Sequence, residues 1–217
     1  RTSLFCGFFG NLFWQSVYMT HSIISGYLPG KIFHSQAMKS YLGNLANKRG
    51  HEFAKTVAES LESALSGQRL EIKLTELGAP AEPDLGDIDV LAWDSITAFV
   101  FLIECKRLKA ALTVRQAIQQ LEEFQGNREE KDSLAKHQRR IEWLKLNPST
   151  LSQLTGISSD SIRWVPLLVT NGRVPMSFVD AIDFPKDQVV AEPDLKRHIA
   201  AVLAQVNQSQ VLTDYSE

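Results

Sequence analysis

The chain has 217 residues, 23 Lys and Arg against 25 Asp and Glu, and a formal net charge of −2. That length suits one packed domain with an appended segment, and the balance of charged and apolar residues excludes disorder as the main state. The net charge offers no global attraction for nucleic acid, so phosphate binding would need a local concentration of cations. Cys6 and Cys105 are too few for a cysteine zinc site and argue against a disulfide framework, which fits a reducing, cytoplasmic setting.

Residues 1–34 read as an aromatic-rich N-terminal extension. No formal charge occurs from Thr2 to Gly30, while Leu4, Phe5, Phe8, Phe9, Leu12, Phe13, Trp14, Val17 and Tyr18 crowd its first half. Gly7, Gly10, Asn11, Gln15, Ser16, Thr20 and His21 interrupt that run, so the expectation is a helix buried against other protein, with no stable membrane insertion. No signal-peptide pattern is present. The chain opens with Arg1 rather than Met, which fits a piece of a longer polypeptide.

The remainder, 35–217, reads as one domain. Ser35 can cap a helix running to about Ser66, with Phe53, Val57, Leu61 and Leu65 as its buried stripe and Gly67 as its stop. The period then changes to two: Leu70, Ile72 and Leu74 alternate with Glu71, Lys73 and Thr75 in a strand over Leu70–Leu77. A stiff loop from Gly78 to Pro83 leads to a second strand, Asp87–Trp93, and the Asp94-Ser95 turn to a third, Thr97–Cys105. Helical spacing returns from Leu112 to Phe124, and a charged, mostly helical stretch runs from Arg128 to Leu146 before Asn147-Pro148 breaks it. Ile162–Thr170 is a fourth strand, and a last helix starts at Pro193 with Leu195, Ile199, Val202 and Val206 on one side. The crossover between the third and fourth strands predicts that they run parallel in a central mixed four-stranded sheet flanked by helices.

In Phe99-Val100-Phe101-Leu102-Ile103-Glu104-Cys105-Lys106 an apolar strand ends in two charges one position apart. Strand alternation points Glu104 and Lys106 the same way, and the hairpin partner can bring Asp89 beside them. Two carboxylates forced together call for a cation, and Mg2+, with Mn2+ as the alternative, takes oxygen ligands and bridges to phosphate. With Lys106 beside it, such a metal suits phosphodiester hydrolysis.

The run Gly86-Asp87-Ile88-Asp89-Val90-Leu91 followed by Ile103-Glu104-Cys105-Lys106-Arg107 resembles the Asp…Glu-x-Lys signature of PD-(D/E)xK, restriction-endonuclease-like nucleases, and the resemblance spans roughly residues 49–170. It implies an αβββαβ core, with Asp89 and Glu104 as metal ligands and Lys106 as the catalytic cation. Asp89 matches the family's aspartate better than Asp87 because it sits between apolar residues; strand alternation, which points both to the same face, does not distinguish them. Family members tend to carry a Glu on the first helix; here Ala54 holds the usual place, so either Glu52 supplies that third ligand from a neighbouring turn position or the ligand is absent. The resemblance also implies a polar residue on the helix after Glu-x-Lys, assigned to Gln116 ahead of Gln119 and Gln120. Arg107, Lys109 and Arg115 form the candidate nucleic-acid-binding group, with Arg128, Lys131, Lys136, Arg139 and Arg140 on the charged helices behind them. Interleaved acids there also fit an exposed helix face, and none of the five histidines shows metal-ligand spacing, so each reads as structural or surface.

The expected function is metal-dependent hydrolysis of nucleic acid, with DNA as partner, in a repair or restriction and defence context; a homodimer is compatible with it. A catalytically inactive nuclease-like module for nucleic-acid or protein binding is the alternative. On this reading Glu104→Gln removes metal binding with little loss of fold.

Overall fold

The computed structural model describes residues 12–13, 16–17, 19–20, 35–78, 85–111, 113–125, 133–180 and 182–214. Two compact units result, Arg1–Arg49 and Gly50–Glu217, so the division falls inside a helix, α1 (Gln36–Leu61), rather than at the expected 34/35 junction. In the first unit the described positions between 12 and 20 are helical, with Leu12, Phe13, Val17 and Met19 exposed. The rest of the aromatic extension lies outside the described residues. Ser35 does cap α1, its Oγ accepting the Met38 amide at 3.2 Å. No helix among the described residues is long and apolar enough to cross a membrane.

The second unit is a mixed α/β structure around a five-stranded sheet. Strands β1 (Gly67–Lys73), β2 (Asp87–Asp94), β3 (Phe99–Lys106), β4 (Arg163–Thr170) and β5 (Val189–Ala191) lie in sequence order. The first three are antiparallel, whereas β3–β4 and β4–β5 are parallel, as the crossover predicts for the third and fourth strands. Four further helices complete it: α2 (Val114–Gln125), α3 (Ser133–Leu146), α4 (Pro148–Thr155) and α5 (Glu192–Asp214). The expected four strands become five because β5 has three residues, too few for a period of two to show.

Other boundaries move for local reasons. α1 ends at Leu61, and Gly67 is no helix stop but the first residue of β1, where the Trp93 ring leaves no room for a Cβ. The predicted third strand starts two residues late, because Ser95–Ala98 forms a turn in which the Asp94 carboxylate accepts the Thr97 amide (2.9 Å) and hydroxyl (2.6 Å). Asn147-Pro148 breaks one helix and begins another, since proline needs no amide partner at a first turn; α4 closes on Gly156 at φ 72°.

Side chains of β3 alternate between two cores. Phe101, Ile103 and Cys105 pack with Phe53, Val57 and Leu61 of α1 and Leu195 and Ile199 of α5. Val100 and Leu102 pack on the other face with Ile141 and Leu144 of α3 and Leu151 of α4. Beside it a smaller apolar cluster joins Phe124, Leu134, Leu168, Met176 and Phe184.

Strand β1 does not keep one face. Leu70 packs into the α1–α5 core and Ile72 into the α3–α4 core, although they are two apart. Glu71 between them has φ 51°, a left-handed conformation that reverses the alternation. The predicted strand to Leu77 therefore stops at Lys73, and Leu74–Leu77 is a 3-10 turn. The β1–β2 ladder pairs Leu70 with Val90 and Ile72 with Ile88, but not Glu71 with Asp89.

Candidate active site

Glu104 continues the series Val100, Leu102 on the α3–α4 face of the sheet, at the carboxyl end of β3. It is 3% exposed. A lone buried carboxylate would be costly, but cations meet both of its oxygens. Lys106 Nζ lies 2.7 Å from Oε1, and Arg140 NH1, from α3, donates to Oε2 at 2.6 Å. Burial pushes the Glu104 carboxyl up, yet Lys106 and Arg140 more than offset it and hold it below the usual carboxylate range.

Asp89 enters from β2. The β2–β3 ladder ends at Val90 opposite Ile103; one step further the Asp89 side chain, not its backbone, accepts the Cys105 amide at 2.7 Å. Release of Asp89 from the β1 ladder at Glu71 permits this. Burial, and then the neighbouring Glu104 charge, push its pKa up to about 6. Asp87 is exposed on the strand before it. The expectation that Asp87 and Asp89 share one face fails, because Ile88 joins the α3–α4 core and Val90 the α1–α5 core.

Helix α3 contributes two residues that the sequence reading assigned elsewhere. Arg140 is 8% exposed and also donates Nε to the Leu85 carbonyl at 2.6 Å, tying the segment that enters β2 to Glu104 on β3. His137 is 1% exposed, with Nδ1 3.9 Å from Glu104 Oε2 and no hydrogen-bond partner for Nε2. Burial, only partly offset by Glu104, lowers its pKa to about 4, so the imidazole is neutral at pH 7. A signal existed: Leu134, His137, Ile141 and Leu144 recur at three- and four-residue spacing, and all are buried. Arg140 adjoins that stripe, so part of the charged helix faces inward.

The other expected residues lie around this centre. Glu52 is exposed on α1, whose buried side chains pack on the opposite face of the sheet, and among the described residues no three His, Cys, Asp or Glu side chains gather as ligands. Gln116 is half-buried in the first turn of α2, its amide bonded to Thr113 Oγ1 at 3.2 Å, while Gln120 bonds the Lys109 carbonyl. Arg107 and Lys109 are half-buried after β3 and Arg115 is exposed; the Leu108 amide between the first two bonds Asn171 Oδ1 at 2.6 Å. Lys136 is half-buried and Arg139 exposed on α3, and Arg128 and Lys131 lie outside the described residues.

The donor chemistry at the centre fits a small divalent cation. Two carboxylates from neighbouring strands are brought together, and burial and then the Glu104 charge raise the pKa of one of them, Asp89, to about 6, a cost that a bound cation would relieve. Asp89 and Glu104 are the residues that would hold such an ion. A separate cleft of about 460 Å3 beyond β5 is lined by Arg173, Lys186, Asp187, Asp194 and Arg197 among others. Its cations are matched within it or beside it, Arg173 and Arg197 by Asp194 and Lys186 by Asp180, so it offers no comparable demand for charge.

A family model described as anti-phage protein Upx-like matches residues 10–195, a stretch that contains all five strands and every residue of this centre. No curated protein and no solved structure matches the chain.

Proposed function

The chain belongs to the Upx-like family of anti-phage proteins, and from that premise we propose that it is a metal-dependent nuclease with a restriction-endonuclease-like core, acting on DNA in the cytoplasm as part of defence. The observation that carries this reading is the meeting of Asp89, Glu104 and Lys106 at the carboxyl end of β3. A helix, three antiparallel strands and a parallel crossover strand are the core order expected of such nucleases. A defence role gives phosphodiester cleavage a biological target.

Mg2+ or Mn2+ held by Asp89 and Glu104 would supply Lewis acidity toward a scissile phosphate and its attacking water. The chain's own groups set the rest. The Cys105 amide fixes the rotamer of Asp89, and Lys106, about 30% exposed in its side chain, stands between buried Glu104 and solvent, where it can meet a phosphate oxygen that gains charge. Arg107, Lys109 and Arg115 follow along the chain from the same strand end and suit contacts to the phosphate backbone, with Gln116 next on α2.

Lys106→Met keeps the length of the side chain and removes its charge. Cleavage of a Mg2+-supplemented DNA substrate should fall about 100-fold or more, while DNA binding in Ca2+ changes little. Wild-type rates in the variant, or cleavage that ignores EDTA, would overturn the mechanism.

One observation favours the second reading, an inactive nuclease-like module: Lys106 and Arg140 already neutralise Glu104. Wild-type protein that binds DNA and cleaves none with Mg2+ or Mn2+ would establish it.

A further inference from the structure

We propose that Arg140 is the resident counter-cation of this centre, and that a divalent ion entering between Asp89 and Glu104 competes with its guanidinium for Glu104 Oε2. The inference rests on the metal-dependent reading above and deepens it.

Three observations carry it. Arg140 NH1 is 2.6 Å from Oε2, the distance of a charge-assisted hydrogen bond, and a guanidinium is a permanent cation. The group cannot swing freely toward solvent, because it is 8% exposed and its Nε is bonded to the Leu85 carbonyl at 2.6 Å. The backbone passes beside it: Gly86 adopts φ 69°, which favours glycine, and a Cβ there would sit in ordinary contact, 3.5 Å, with Arg140 NH2. A surface arginine that happened to reach a carboxylate would need neither the burial nor the bond to a backbone carbonyl.

Burial strengthens the competition, since charges a few ångströms apart in a partly desolvated centre interact far more strongly than in water. An entering ion therefore meets two cations, Lys106 and Arg140, on the carboxylate it needs. Lys106 is partly exposed and can turn outward; Arg140 is held in place. Resting metal affinity is set by Arg140 more than by the number of carboxylates.

The test is calorimetric titration of Mn2+ into the whole chain, comparing wild type with Arg140→Met and Arg140→Lys. Arg140→Met should bind Mn2+ about tenfold tighter or more, and Arg140→Lys, which keeps the charge, should stay close to wild type. Equal or weaker binding by Arg140→Met, with wild type binding, overturns the competition and leaves the metal reading standing. No binding by either protein overturns both.

Should Arg140→Met fail to fold, the wild type supplies the measurement. The Arg140 Nε–Hε resonance in a 15N spectrum should be protected from exchange and should shift in step with a Mg2+ titration. An Arg140 resonance unmoved while carboxylate resonances respond overturns the proposal.

Discussion

On the α1–α5 face of the sheet, Phe101, Ile103 and Cys105 carry an apolar layer to the carboxyl end of β3, closed by Val57, Leu61, Leu195 and Ile199. On the α3–α4 face the layer of Val100 and Leu102 gives way to Glu104, and α3 answers with His137 and Arg140 where apolar packing would otherwise continue. The same strand thus serves two purposes. Its odd positions gain free energy from burial, whereas its even positions, at the last turn of the strand, spend some of that gain on holding opposed charges out of water.

The largest effect should come from that other face. Phe101→Ala removes a fully buried ring and should cost about 3–5 kcal/mol in urea unfolding at pH 7. A loss well below that range would mean that the α1–α5 layer is not where stability resides.

Glu104→Gln should come next, at about 2–4 kcal/mol, because it strands the buried Arg140 charge. The sequence alone suggested little loss of fold here; the ion pair reverses that expectation. The double variant Glu104→Leu/Arg140→Met should regain at least half of the loss, since both charges then leave together. If it is additive with the single variants, the pair is not coupled.

Acidity separates the members of the centre. The folded-state pKa of Asp89 is raised, from 3.8 to about 6, so its contribution favours folding below pH 3.8 and is lost as pH rises through 6. That of His137 is depressed, from 6.5 to about 4, so its contribution is present above pH 6.5 and is lost as pH falls toward 4. The slopes oppose one another between about pH 4 and about pH 6 and flatten the wild-type profile there. Asp89→Asn should raise stability at pH 7 by about 1–2 kcal/mol and leave the His137 slope exposed, so that the variant weakens steeply on acidification. His137→Leu should leave the opposite slope. Unfolding free energies at pH 4.5, 5.5 and 7 decide it; variant profiles parallel to wild type would refute the assignment.

The smallest expected effect is at Glu71. Its left-handed backbone favours glycine, and its side chain pairs with His51 at the surface, a type of pair worth little. Glu71→Gly should therefore stabilise by about 0.5–1 kcal/mol, read as a rise in Tm of a few degrees.

What the sequence disclosed follows from where pattern and burial coincide. β3 was legible because an apolar run ends in Glu-x-Lys, and α1 because Phe53, Val57 and Leu61 repeat at helical spacing and are buried. The same holds for Leu195 and Ile199 of α5. β5 was not, being too short to have a period. Two polar residues hid the inward face of α3, since a buried histidine and arginine look like surface until Glu104 opposite them is known. The alternation that seemed to equate Asp87 with Asp89 failed because β2 changes face between Ile88 and Val90, just where β1 beside it is inverted at Glu71.

That inversion has a second effect, on what the sheet can attach to. β1 and β5 are its outermost strands. An outer strand exposes a row of amides and carbonyls onto which another chain can add, and regular, extended edges are the hazardous ones. β5 limits that hazard by offering three residues, and β1 by breaking its own row at Glu71. A partner strand could follow neither edge for long. Edge-to-edge growth of the sheet is thereby disfavoured at both of its ends.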